Sequence, residues 1–152
     1  MLLYEKLTMK TIFVFLILFY IKLTYATVGS VTGLDIPRYV SLKSDNSNLR
    51  VGPSKNYPIL IKFINTNYPL KIIDEYNDWR KIIDFKDNEG WIHKSLIKGD
   101  RNGIIITKSF KNINIFNTPN GKIIGNIEIG TIVELSKCRI SWCLINKDNY
   151  KG

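Results

Sequence analysis

Asn48-Leu49-Arg50-Val51-Gly52-Pro53-Ser54, followed later by Trp79-Arg80-Lys81-Ile82 and Gly90-Trp91-Ile92, decides how this chain is read. Leu49 and Val51 alternate with polar neighbours, which is the period of a strand with one buried face. Gly52-Pro53 then forces a sharp exit, because glycine accepts a positive φ and proline fixes the next φ at about −65°. The surrounding sequence has the same texture. Runs rich in Ile, Val, Tyr, Phe and Trp recur every ~8–12 residues between Gly, Pro, Asn and Asp, the pattern of a small all-β barrel or sandwich. Strands are expected near residues 39–43, 48–51, 59–64, 70–76, 79–85 and 90–93. Residues 79–85 also admit a helix, since Trp79, Ile82 and Ile83 share a helical face. The turns Asn77-Asp78 and Asp87-Asn88-Glu89-Gly90 favour a strand in a meander.

A second copy of this layout can be laid over the first. Residues 48–53 meet 114–119, residues 70–74 meet 131–135, residues 79–82 meet 142–145, and Gly90 meets Gly152. The offset drifts from 66 to 62, as loop deletions would produce. This divides the chain into units at 38–97 and 104–152, joined by the linker Lys98-Gly99-Asp100-Arg101-Asn102-Gly103. Such a linker holds two units close without fixing their orientation. Copy one continues past Gly90 with Trp91-Ile92-His93, whereas copy two stops at Gly152. The second unit is therefore expected to be incomplete, with an open strand edge that invites pairing with another chain.

The combination of Asn48-Leu49-Arg50-Val51-Gly52-Pro53-Ser54, Tyr57-Pro58, Trp79-Arg80-Lys81-Ile82 and Gly90-Trp91-Ile92 resembles the bacterial SH3-like (Src-homology-3-like) family over about residues 38–97. The resemblance implies small, strongly bent β-barrels in exported bacterial proteins, often in tandem, that act as targeting or binding modules. Cell-wall peptide is the best-known ligand class. The expected fold class is all-β, with two SH3-like barrels in tandem and the second truncated before its closing strand. Copy two keeps Asn114, Pro119, Gly130 and Trp142 but has Phe116 in place of the Arg and Thr118 in place of the Gly. Those departures weaken any ligand role there.

Composition narrows the function. The 152 residues carry a net charge of +9, one His and two Cys. A zinc site would have to draw on His93, Cys138 and Cys143, and a nucleophile with an imidazole base has His93 alone. No enzyme, metal or cofactor is expected. Residues 11–21, TIFVFLILFYI, are an uncharged run between Lys10 and Lys22, with Thr24 and Ala26 placed for cleavage before Thr27. This is a signal-peptide pattern over residues 1–26, Met9 offering an alternative start, and the apolar run is shorter than the ~20 residues of a membrane span. Cleavage would remove Lys6, Lys10, Lys22 and Glu5 and leave +7. An exported basic protein suits anionic envelope partners, a cell-wall peptide or a periplasmic protein, and not nucleic acid. Membrane contact is expected only if the signal segment is retained.

Particular side chains follow. Gly52, Pro53, Gly90 and Trp91 are read as structural, with Gly52-Pro53 shaping the turn and Trp91 as core sealing the barrel. Arg50 either pins the loop after Pro53 through backbone carbonyls or captures a ligand carboxylate. Trp79 is core or an aromatic platform at the rim beside Tyr76, and Tyr57 packs over the barrel mouth. Arg50, Tyr57, Tyr76 and Trp79 are the candidate groove. His93 is assigned no role. Cys138 and Cys143 bracket Arg139-Ile140-Ser141-Trp142, and a four-residue hairpin turn there would bring them face to face for a disulfide.

Overall fold

The computed structural model describes residues 27–108, 112–148 and 150–152, so the expected export signal at residues 1–26 lies outside the described residues. Strands β1 (Thr27–Val28) and β2 (Asp35–Ile36) form a short antiparallel ribbon. They lead into β3 (Arg38–Leu42), β4 (Ser47–Arg50), β5 (Ile59–Phe63), β6 (Pro69–Tyr76), β7 (Trp79–Ile83), β8 (Glu89–His93), a 3-10 turn at Lys94–Leu96, and β9 (Ile97–Lys98). Strands β3 to β9 make one sheet in the order β5-β4-β8-β7-β6-β3-β9. The described residues contain no α-helix. Residues 79–83 resolve as a strand because alternation divides them between two faces: Ile82 is fully buried, while Lys81 and Ile83 are half-exposed.

Val40 and Leu42 of β3, Leu49 of β4, Phe63 of β5, Leu70 and Ile72 of β6, Ile82 of β7 and Ile92 of β8 form a single core cluster. One sheet can feed one core from all these strands only by curling around it. Two bulges help it bend. Leu60 is the extra residue between the pairs Leu49↔Ile61 and Arg50↔Ile59, and Ile73 is the extra residue between Ile72↔Ile82 and Asp74↔Lys81. Each fully buried aliphatic of this cluster contributes ~1.5–3 kcal/mol. The curled sheet has two ends, β5 and β9.

A buried ion network fastens the segment before β3 onto this sheet. Glu75, past the β6 bulge, points inward opposite Arg80 and is only 4% exposed. Its carboxylate accepts from the Val31 amide at 3.0 Å, from the Thr32 amide and hydroxyl at 2.8 and 2.7 Å, and from Arg38 Nη2 at 2.6 Å. Arg80 Nε lies 3.4 Å away. Burial by itself would raise the carboxyl pKa, but the bonds from Thr32, Arg38 and Val31 outweigh it and hold the group down at about 2.

The remaining strands are β10 (Asn102–Ile104), β11 (Asn112–Phe116), β12 (Ile123–Glu128), β13 (Ile132–Arg139), β14 (Trp142–Lys147) and β15 (Tyr150–Lys151). They pair as β10-β13-β14-β15 and β11-β12, just as β3-β6-β7-β8 and β4-β5 pair before them. Even the bulges recur: Ile124 is extra opposite Ile115 and Phe116, and Ser136 is extra between Leu135↔Ile145 and Lys137↔Leu144. This register corrects the sequence alignment of β6. Leu135, not Val133, takes the place of Ile72, because it pairs with Ile145 as Ile72 pairs with Ile82. The smaller core holds Ile115, Ile127 and Val133.

Two further expectations change. Lys98 belongs to β9 and Asn102 to β10, so the connection is Gly99, Asp100 and Arg101 rather than six residues. Fully buried Ser41 ties it down, donating to the Asp100 carbonyl at 2.7 Å and accepting from Asn102 Nδ2 at 2.9 Å. Cys138 and Cys143 are disulfide-bonded, with S–S 2.08 Å. Their hairpin turn is the two residues Ile140-Ser141, since Arg139 and Trp142 still pair as strand. The disulfide occupies the cross-strand position that Glu75 and Arg80 occupy in the first unit.

Candidate functional site

Strand alternation sorts the conspicuous side chains of the first unit onto two faces. On β8, Gly90 and Ile92 face the core, so Trp91 and His93 face outward. Across the ladder, Trp91 stands opposite Arg50 on β4 and Lys81 on β7. His93 stands opposite Trp79, which in turn stands opposite Tyr76 on β6. The outer face therefore carries two adjoining rows, Arg50-Trp91-Lys81-Asp74 and His93-Trp79-Tyr76. Antiparallel neighbours within such rows lie close enough for direct side-chain contact.

Trp91 is the chief correction. The residue that seals the core is Ile92, fully buried, while Trp91 is half-buried on the opposite face and outside the core cluster. Gly90 explains the parity. A Cβ there would lie 2.7 Å from the Arg50 carbonyl oxygen and 2.8 Å from Leu49 Cγ, so the small residue must point inward where β4 and β8 converge. Its neighbour Trp91 is then turned outward. Gly52 also acts by close approach, not by a positive φ. The Tyr57 ring lies over it, 2.7 Å from where a Cβ would stand.

The four groove candidates fall into two neighbouring pairs. Arg50 Nη1 donates to the Tyr57 carbonyl at 2.7 Å, so Arg50 pins the loop that returns from Gly52 to β5. Arg50 is half-buried, and Trp91 stands opposite it in the ladder. Trp79 and Tyr76 stand together at the β6–β7 hairpin. Tyr76 is 55% exposed, whereas Trp79 is only 9% exposed and lies outside the main core cluster. Its ring meets His93 edge to face, with centroids 5.4 Å apart and planes at 84°. His93 has a positional role that its isolation in the sequence did not reveal. Its Nδ1 accepts from the Ser95 amide at 3.3 Å and lies 2.8 Å from the Ser95 hydroxyl, which caps the 3-10 turn after β8.

Ion pairs frame the rows. Lys81 meets Glu89 at 2.5 Å and Lys94 meets Asp78 at 2.8 Å. The Lys94 bond and charge hold the Asp78 carboxyl below its ordinary range. Chemically, the face offers flat aromatic rings, an imidazole and a guanidinium on paired strands. Such groups stack on and hydrogen-bond to an extended polar ligand.

A family model described as Bacterial SH3 domain matches residues 43–99. The match spans β4 to β9 and every residue of the two outer rows, so this part of the chain is similar to that family. Domains of this family are in general binding modules rather than catalysts. No curated protein matches the chain.

Proposed function

We propose that this is an exported, non-catalytic binding protein whose first unit holds a cell-wall peptide or an envelope protein against the outer face of its sheet. The observation that carries the reading is the placement of Arg50, Trp91, His93, Trp79 and Tyr76 side by side on one face of a rigid ladder. The signal-like residues 1–26 support export, and the repeated strand pairing supports a second SH3-like unit at residues 104–152. The basic surface would draw the protein to an anionic wall, and the aromatic face would supply selectivity. The test is retention on purified cell wall. Binding that persists at high salt and is lost when Tyr76 and Trp91 are both replaced by Ala supports the reading. Binding that salt abolishes would reduce it to charge attraction.

A further inference from the structure

The hairpin joining β13 to β14 stands where the β6–β7 hairpin stands in the first unit, and the two compare residue by residue. Lys137 pairs with Leu144, Cys138 with Cys143 and Arg139 with Trp142, as Asp74 pairs with Lys81, Glu75 with Arg80 and Tyr76 with Trp79. The turn residues are Ile140-Ser141 in one and Asn77-Asp78 in the other. Both turns open with a left-handed residue, φ 47° at Asn77 and φ 42° at Ile140. Asparagine tolerates that conformation, whereas a β-branched side chain crowds its own backbone there. Ile140 nevertheless holds the tip, with its side chain wholly in solvent at 112% relative exposure. The Cys138–Cys143 disulfide, one pair below Arg139 and Trp142, holds the strands together beneath this unfavourable turn.

Charge reverses between the hairpins as well. The first reads Asp74-Glu75-Tyr76-Asn77-Asp78 and the second Lys137-Cys138-Arg139-Ile140-Ser141. Lys137 and Arg139 share one face of β13, and among the described residues neither forms an ion pair. The carboxylates described in this unit lie away from the tip: Glu134 opposite Asn146, Glu128 before β13 and Asp148 after β14. Exposure of the tip belongs to the hairpin itself. Residues 74, 76, 77 and 78 are exposed in the first unit, where β8 and the 3-10 turn lie alongside, just as residues 137, 139, 140 and 141 are in the second.

We infer that this tip is a membrane contact, in which Ile140 enters the interface of a bilayer and Lys137 and Arg139 meet anionic lipid headgroups. One aliphatic between two cations suits the boundary of headgroups and acyl chains, where apolar burial and attraction to a negative surface act together. A convex tip offers little area for docking a folded protein, whereas a fluid bilayer closes around it. The contact is separate from residues 1–26 and from the outer face of the first unit.

The test is NMR of the whole, isotope-labelled chain with bicelles of phosphatidylcholine, with or without phosphatidylglycerol, each carrying a doxyl-labelled lipid. The Ile140 methyls and the Arg139 and Ser141 amides should broaden strongly with phosphatidylglycerol, and less at high salt. The Asn77 and Asp78 amides are the internal reference and should stay sharp, even where residues 1–26 hold the chain on the bicelle. Ile140→Asn reproduces the turn of the first unit, so it should fold, and it should remove the broadening at Arg139 and Ser141. Lys137→Gln with Arg139→Gln should abolish the preference for phosphatidylglycerol. No broadening at Ile140, equal broadening at Asn77, broadening that survives Ile140→Asn, or equal response to both bicelles would overturn the inference.

Discussion

Replacing Glu75 by Ala removes the acceptor on which Arg38, Arg80 and the Val31–Thr32 backbone converge. The variant leaves two guanidinium groups at 6% and 19% side-chain exposure without their counter-charge. Breaking a buried pair from one side costs ~3–5 kcal/mol. Proton linkage gives a second figure. The shift of the Glu75 carboxyl from 4.5 to about 2 on folding corresponds to about 3 kcal/mol of stability. Because the folded-state value is the lower one, that contribution is complete above pH 4.5 and fades as the pH falls towards 2. Urea unfolding at pH 6, read by tryptophan fluorescence, should show the Glu75→Ala midpoint lowered by ~2–3 M, taking a slope of about 1–1.5 kcal/mol per M for a domain this small. Val31 and Thr32 amides should exchange faster. Glu75→Gln provides the pH test: its stability deficit against the unsubstituted protein should shrink steadily between pH 4.5 and 2.5. A midpoint within 0.5 M of the unsubstituted protein, or a deficit that does not change over that interval, would refute the network as described.

Three further outcomes follow from the packing. Ile92→Ala should destabilise the first unit by ~2–5 kcal/mol and leave exchange at Ile127 and Val133 unchanged; equal losses in both units would contradict two separate cores. Reduction of Cys138–Cys143 should cost at most ~2 kcal/mol by loop closure, and exchange rates should rise around β13 and β14 but not in β6 and β7. Gly52→Ala drives a methyl into the Tyr57 ring and should cost ~1–3 kcal/mol, with the largest NMR shifts at Arg50 and Tyr57.

The strand pattern was legible because each core strand alternates, and because Gly-Pro, Asn-Asp and Asp-Asn-Glu-Gly mark their own turns. The face on which a residue stands was less legible. Trp91 reads as core by size, yet Gly90 and Ile92 on either side take the inward positions, and a period of two allows no third. Had Gly90 been assigned to the β4–β8 approach, Trp91 and His93 would have fallen outward with it. The β6 alignment slipped for a related reason: a bulge adds a residue without leaving any composition signal, so Ile72 was matched two places from Leu135. The Glu75 network was invisible because its hydrogen-bond donors, Val31, Thr32 and Arg38, lie 37 to 44 residues away, and nothing local announces an inward carboxylate. The disulfide was readable from spacing, although the turn beneath it has two residues rather than four.

The outer face of the first unit is where the proposed ligand must sit. A titration of the whole, isotope-labelled chain with soluble cell-wall peptide locates the contact directly. Shifts should concentrate at the Trp91 and Trp79 indoles, the His93 ring, Tyr76 and the Arg50 guanidinium, and should persist in high salt. Shifts that spread over surface lysines and vanish with salt, or that avoid these five residues altogether, would contradict it.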